Sequence, residues 1–353
     1  MSFIMLRSTY FTFTLCICIA VTLLSSCDSS TEKTLERPEA TPAVIDNRAE
    51  QAEISVQFWR RGSDQFEQNS AAILALRDQA INFLYDSTET QLTELRARWH
   101  QAHQAHSATG IYRAFGSSKP GLFGSLNTLN FQMDASPIQP GYLDAFDVYH
   151  HSGIVNDIAM PISAQGLRAA HGFSDDTDVS LGFHALAYLI FGEDSKRPLA
   201  QLQAQAQPSQ QRVKTGLKVN DLPVNRRRQL IKLLSELLLD DAQQLQRLWQ
   251  STNGRLQLNY RALAADSRLQ LIQSASQQFL QIQQQMLTEQ YPENKHNRFA
   301  KQDAASIHAA LTTLDTTFDT QLSALLHNQD TAAIWQQQLQ AALAASAKIP
   351  KIK

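Results

Sequence analysis

The sequence predicts an all-α protein whose helix count allows two bundles. Three observations carry that expectation. Glycine and proline are sparse, 13 and 11 among 353 residues, while Ala, Leu and Gln, which favour helices, are abundant. Long segments repeat apolar residues at three- and four-residue steps. Strand-like alternation is essentially missing, and antiparallel helices of this length pack as bundles. With 43% hydrophobic and 18% charged residues and a net charge of −2, the chain has neither the basic arms nor the basic, aromatic-interleaved helices of a nucleic-acid binder.

The chain opens with a segment expected to leave the fold. Arg7 precedes the apolar run Tyr10–Leu24, which is short for a permanent span and is followed by small residues. Residues 1–26 therefore read as a secretory signal peptide. Leu24-Ser25-Ser26-Cys27 resembles the bacterial lipobox, which makes Cys27 the expected lipid anchor and places the protein in the cell envelope, facing the periplasm. An ordinary signal cleaved at the small residues is the alternative. Asp28 follows the cysteine, a position that in enteric bacteria biases lipoproteins towards the inner membrane. Cys16 and Cys18 would leave with the signal, so the mature chain would hold no free thiol for a disulfide, a thiolate metal site or a cysteine nucleophile. Residues 27–47, rich in Ser, Thr, Glu and Pro, read as a lipidated cysteine and a flexible stalk.

The helical domain is expected over 48–350, as two halves of about 48–220 and 221–350. Its first helix, Arg48–Tyr85, carries Ile54, Phe58, Ile73, Leu76, Ile81 and Leu84. Asp86-Ser87-Thr88 interrupts it, and Thr88 with Gln91 makes a capping box for the next. That helix, Leu92–Phe115, puts Leu92, Leu95, Trp99 and His103 on one stripe. Residues 116–179 contain Gly-Ser-Ser-Lys-Pro, Gln-Pro-Gly and Asp-Asp-Thr-Asp and read as irregular. Leu181–Gly192 is a short helix closed by its glycine, followed by a polar loop to Pro223. An amphipathic helix runs over Val224–Gln250 with Leu230, Leu234, Leu237, Leu238, Leu245 and Trp249, and stops at Asn253-Gly254. Helices over Leu256–Tyr291, Asp303–His327 and Asp330–Lys348 complete the chain.

No HExxH, paired CxxC, P-loop, GxGxxG or GxSxG occurs. Asp176-Thr177-Asp178-Val179-Ser180 lacks the glycine and closing acid of a calcium loop. His100, His103 and His106 fan across a broad helix face with only Glu94 nearby, which favours a solvated or half-buried face over a three-histidine site. His150-His151 reads as a loop pair.

The segment Gly182-Phe183-His184-Ala185-Leu186-Ala187, continuing Tyr188-Leu189-Ile190-Phe191-Gly192-Glu193-Asp194, resembles the signature helix of the imelysin-like family, exported, iron-regulated bacterial proteins sometimes classed as metallopeptidases. Further similarity lies in Arg96-Ala97-Arg98-Trp99, in Leu129-Asn130-Phe131-Gln132-Met133-Asp134 through Tyr142-Leu143-Asp144 as the central loop, and in Asn297-Arg298-Phe299-Ala300 with Asp303. The resemblance implies two helical bundles with a cleft between them. It leaves two readings of the cofactor, iron or another divalent metal, or none, and makes His184 the candidate metal ligand of an incomplete site. The expected binding cleft comprises Gly182, His184, Tyr188 and His103. The family pattern Gly-x-His-x-x-Glu is broken here: its glutamate falls at Ala187. His-x-x-Glu works because positions i and i+3 share a helix face and present a nitrogen and a carboxylate to one cation. Relatives often carry Thr-Glu where this chain has Thr109-Gly110. Glu193 sits on the opposite face, beyond Gly192, and Tyr188 offers only a phenol of reference pKa ~10.

With the motif carboxylate missing, His184 reads first as a core histidine. The expected function is a lipid-anchored, non-catalytic binding or accessory component linked to iron or metal uptake. Its expected partners are the membrane, through the anchor, and iron-uptake or haem-containing envelope proteins. Two alternatives stand beside it: a metal-dependent peptidase with ligands relocated to His100, His103, His150 or His151, and a scaffold with a decayed site.

Overall fold

The computed structural model describes residues 48–139, 141–192, 196–206, 218–287, 300–317 and 329–348. The expected signal peptide, Cys27, the stalk, Glu193, Asp194 and Asn297–Phe299 lie outside them. Every regular element among the described residues is helical, and the only β pairing there is the isolated bridge between Phe146 and Tyr149. No described helix is long and apolar enough to cross a membrane.

Helix α1, Arg48–Tyr85, buries Phe58, Phe66, Ile73, Leu76, Ala80 and Phe83 on one stripe. Of the expected stripe, Ile81 turns outward. Helix α2, Glu89–Ala108, starts on Thr88, whose hydroxyl accepts the Gln91 N–H at 3.2 Å. Only half of the capping box forms, because the Gln91 side chain is bonded to Gln79 at 2.7 Å instead.

The next stretch departs from expectation. The helix expected to reach Phe115 ends at Ala108, where Thr109 turns its hydroxyl back to the His106 carbonyl at 2.7 Å. Short helices α3 (Gly110–Arg113), α4 (Phe115–Ser118), α5 (Pro120–Phe123) and α6 (Ser125–Asp134) follow. The Gly/Pro signals were ambiguous: Pro120 sits at the first position of α5, where its missing N–H costs nothing. Irregular chain begins only after Asp134 and holds one further helix, α7 (Ala164–Ala170), before α8 (Gly182–Phe191).

Helix α9, Pro223–Gln250, buries the expected stripe Leu230, Leu234, Leu237, Leu238, Leu245 and Trp249. It also buries Arg226, Arg227 and Asp241, which anchor the irregular segment. Arg226 donates to the carbonyls of Ile154, Val155, Asp157 and Met160 at 2.7–3.0 Å. Arg227 forks onto Asp144 at 2.7 and 3.0 Å, and Asp241 holds Arg168 at 2.7 and 3.2 Å. A long connection without regular structure is tolerable because its buried carbonyls are satisfied in this way. The expected Leu256–Tyr291 helix is two, α10 (Arg255–Ala262) and α11 (Ala265–Gln285), divided at the extended residues Leu263 and Ala264. Helices α12 (Ala300–Thr317) and α13 (Gln329–Ala347) follow.

The helices gather in two groups about the α1–α2 pair. One joins α1, α9, α8 and α6; the other joins α2, α12, α13 and α11. Both groups draw on sequence before and after residue 220. Where α1 crosses α9, the rings of Trp59 and Trp249 stack at 4.0 Å, and Trp249 Nε1 donates to the Trp59 carbonyl at 3.0 Å. A side chain at Gly62 would meet the Trp249 ring at 2.8 Å, so only glycine admits that approach.

Candidate metal-binding site

Three helices converge where the two groups meet. On α2, Trp99, His103 and His106 lie at spacings of four and three and are buried. On α8, Gly182 adopts φ +81, and a Cβ there would stand 2.4 Å from the Met133 carbonyl oxygen. The first turn of α8 therefore rests directly on the last turn of α6. That contact brings His184 beside Asp134, the final residue of α6.

The result is a compact donor set. Asp134 Oδ1 lies 2.9 Å from His103 Nε2 and 3.3 Å from His184 Nε2. One ligating atom from each of His103, Asp134 and His184 falls within 4.8 Å of the others. Ser306 of α12 lies with its Oγ 2.9 Å from His103 Nδ1, which leaves Nε2 as the nitrogen aimed at the carboxylate. The His103 ring is flanked by Trp99 and Phe183, each at 4.9 Å, and by His184 at 5.3 Å. His103 is 3% and His184 6% exposed.

Burial alone would raise the Asp134 carboxyl, but the charge and hydrogen bond of His103, the bond of His184 and nearby His106 hold it well below the usual carboxylate range. His106 is lowered as well: burial first, then Arg113, outweigh the pull of Asp134 and keep its imidazole neutral. Both of its ring nitrogens are buried without a hydrogen bond, with Nε2 3.8 Å from Asp134 Oδ2. The Arg113 guanidinium, held by Thr109 and the His106 carbonyl, is lowered by burial to about 10, against the opposing pull of Asp134.

The site opens into a cleft of about 320 Å³ lined by His103, Asp134, His184, Arg113 and Ser306, with Phe279 on its apolar wall. Two imidazole nitrogens and a carboxylate oxygen suit a first-row divalent cation. Ligands at about 2.0–2.2 Å from such an ion stand roughly 3 Å or a little more apart, which the two carboxylate–imidazole distances match. The residues present therefore fit a metal.

Not every expected residue meets here. His103 and His184 do, whereas Gly182 sits against the Met133 carbonyl and does not line the cleft. Tyr188 points elsewhere: its hydroxyl bonds the Ala145 carbonyl at 3.3 Å, and its own carbonyl accepts from Arg197. Ala187 is fully buried and does not line the cleft. His100 packs edge-on against Trp99 and Phe191, and burial together with His103 lowers it to about 4. His150 lines a separate cleft beside Asp144 and Arg227, and His151 is exposed. The reading of the α2 histidines as a solvated or half-buried face is corrected for His103 and His106, which are buried.

Asp134, Ser306 and Arg113 were missed. Asp134 lies in Leu129–Asp134, which reads as a loop from its flanking Gly and Pro, although Leu126, Leu129 and Met133 at helical spacing are a signal for α6. Ser306 and Arg113 have no local signature, since tertiary packing alone brings them to the cleft.

An all-α chain that brings two histidines and an aspartate together in a cleft between helix groups is a helical protein with a candidate cation site. Residues 63–352 match the family model described as Imelysin, Peptidase_M75, and the chain belongs to that family. No curated protein matches the chain.

Proposed function

We propose that the protein is a metal-binding member of its family: an envelope-anchored binding or accessory component that holds iron or another divalent cation on His103, Asp134 and His184. The observation that supports it is the gathering of these three ligating atoms, from three helices, within 4.8 Å. Asp134 takes the place of the carboxylate that the family motif would have supplied at position 187. Binding is favoured over hydrolysis by the acid count. Among the described residues lining the cleft, Asp134 is the only carboxylate, so none remains as general base once it serves as ligand. The relocated-ligand peptidase survives as the second reading because three protein ligands are also the usual complement of a catalytic zinc.

Metal content of the purified chain tests the proposal. Near-stoichiometric iron, zinc or manganese is expected in the wild type, and loss of most of it in Asp134→Asn. Metal found only in an Ala187→Glu variant would overturn the reading and show a site lost by that one substitution. Hydrolysis of an unstructured protein substrate by the metal-loaded wild type would favour the peptidase. Anchoring through Cys27 predicts that palmitate label enters the wild type and not Cys27→Ser; equal labelling removes the anchor from the proposal.

A further inference from the structure

Beyond the ion itself, the cleft carries the features of an acceptor for an organic anion. Among its described lining residues, Asp134 and Arg113 are the carboxylate and the guanidinium, and their charges cancel. A dication on His103, Asp134 and His184 leaves two positive charges in a half-open cleft, which favours a counter-anion there. Position 110 contributes none. Gly110 is closed over by the Phe279 ring, whose nearest carbon would stand 2.3 Å from a Cβ there. Position 187 contributes none either.

Arg113 is 9% exposed and rigidly held. Its Nε donates to Thr109 Oγ1 at 2.9 Å and its Nη2 to the His106 carbonyl at 3.2 Å. Nη1 makes no hydrogen bond among the described residues, and the side chain lines the cleft. A planar guanidinium fixed on one edge and open on the other is suited to a carboxylate. Asn130 also lines the cleft. Phe279, Ile282, Met286 and Ile307 give the lining an apolar part, which suits a carbon skeleton rather than an inorganic oxyanion. A volume of about 320 Å³ is at the small end of ligand pockets.

We infer that the cleft takes a small organic carboxylate, bound to the metal at one end and to Arg113 at the other. The inference rests on the metal reading above, and the test separates the two. Calorimetry of the full chain with zinc alone comes first; absence of zinc binding removes the metal reading and this inference together. With zinc bound, L-malate is expected to bind the wild type, and at least tenfold more weakly the zinc-loaded Arg113→Lys, which keeps the charge and loses the fork. A variant that still takes zinc has kept its site, so weakened malate binding cannot be ascribed to misfolding. In the wild type, the neutral diamide of malate and inorganic phosphate are expected to give no heat. Zinc binding without malate binding, malate binding equal in the zinc-free protein, or equal binding of the diamide or phosphate would overturn the inference and leave the metal site standing.

Discussion

Asp134 and Gly182 together decide whether a site exists. Histidines placed at 103 and 184 by α2 and α8 become a donor set only when the last residue of α6 stands between them. Gly182 permits this by letting α8 approach the Met133 carbonyl closer than any Cβ allows, at a φ that L side chains rarely adopt. Gly182→Ala is therefore expected to cost about 1–3 kcal/mol from backbone strain, with more from the displaced carbonyl, and to lower metal affinity as α8 shifts off α6. Thermal melts and metal titration read both effects; a variant as stable as wild type and equally tight for metal would refute the role given to this contact. At this scale the sequence was half legible. His184 and Gly182 stand in a recognisable motif, and His103 falls on a stripe with Trp99. Asp134 did not stand out, because the carboxylate was sought three residues along the same helix and is supplied by a different one.

At the scale of elements, amphipathic stripes were the dependable signal. Six of the buried positions of α9 read directly from spacing, because a helix packed on one side must repeat its apolar residues every three or four. Helix breaks were less legible. Pro120 opens a helix instead of closing one, and the break at Leu263 and Ala264 carries no local breaker, since packing sets it. Nor does spacing reveal that α9 uses its buried charges to secure the irregular chain. Asp144 sits between Arg227 and Arg197, at 2.7 and 2.9 Å. Burial would raise its carboxyl, but the bonds and charges of Arg227 and then of Arg197 outweigh it and hold the group below the usual carboxylate value. A depressed folded pKa means stability present above the unfolded value of ~3.9 and lost as pH falls below it towards the folded value. Asp144→Asn is expected to cost about 3–5 kcal/mol near neutral pH, because it strands two buried guanidinium groups. In chemical denaturation the gap to wild type should narrow below about pH 4. A gap unchanged down to pH 3 would contradict the assignment.

For the whole molecule, the all-α class followed from composition and periodicity. The interleaving of early and late helices did not, because which stripes meet is a property of the assembled chain. That interleaving has a functional consequence. His103 and Ser306 come from α2 and α12 in one group, whereas Asp134 and His184 come from α6 and α8 in the other, so a cation at the site ties the groups together. The central claim is that these residues form one cation site, and anomalous diffraction from crystals of the zinc-loaded protein tests it most directly. A single strong peak about 2.0–2.2 Å from His103 Nε2, His184 Nε2 and an Asp134 oxygen is expected. A peak elsewhere, or none at this cluster under saturating zinc, would contradict it.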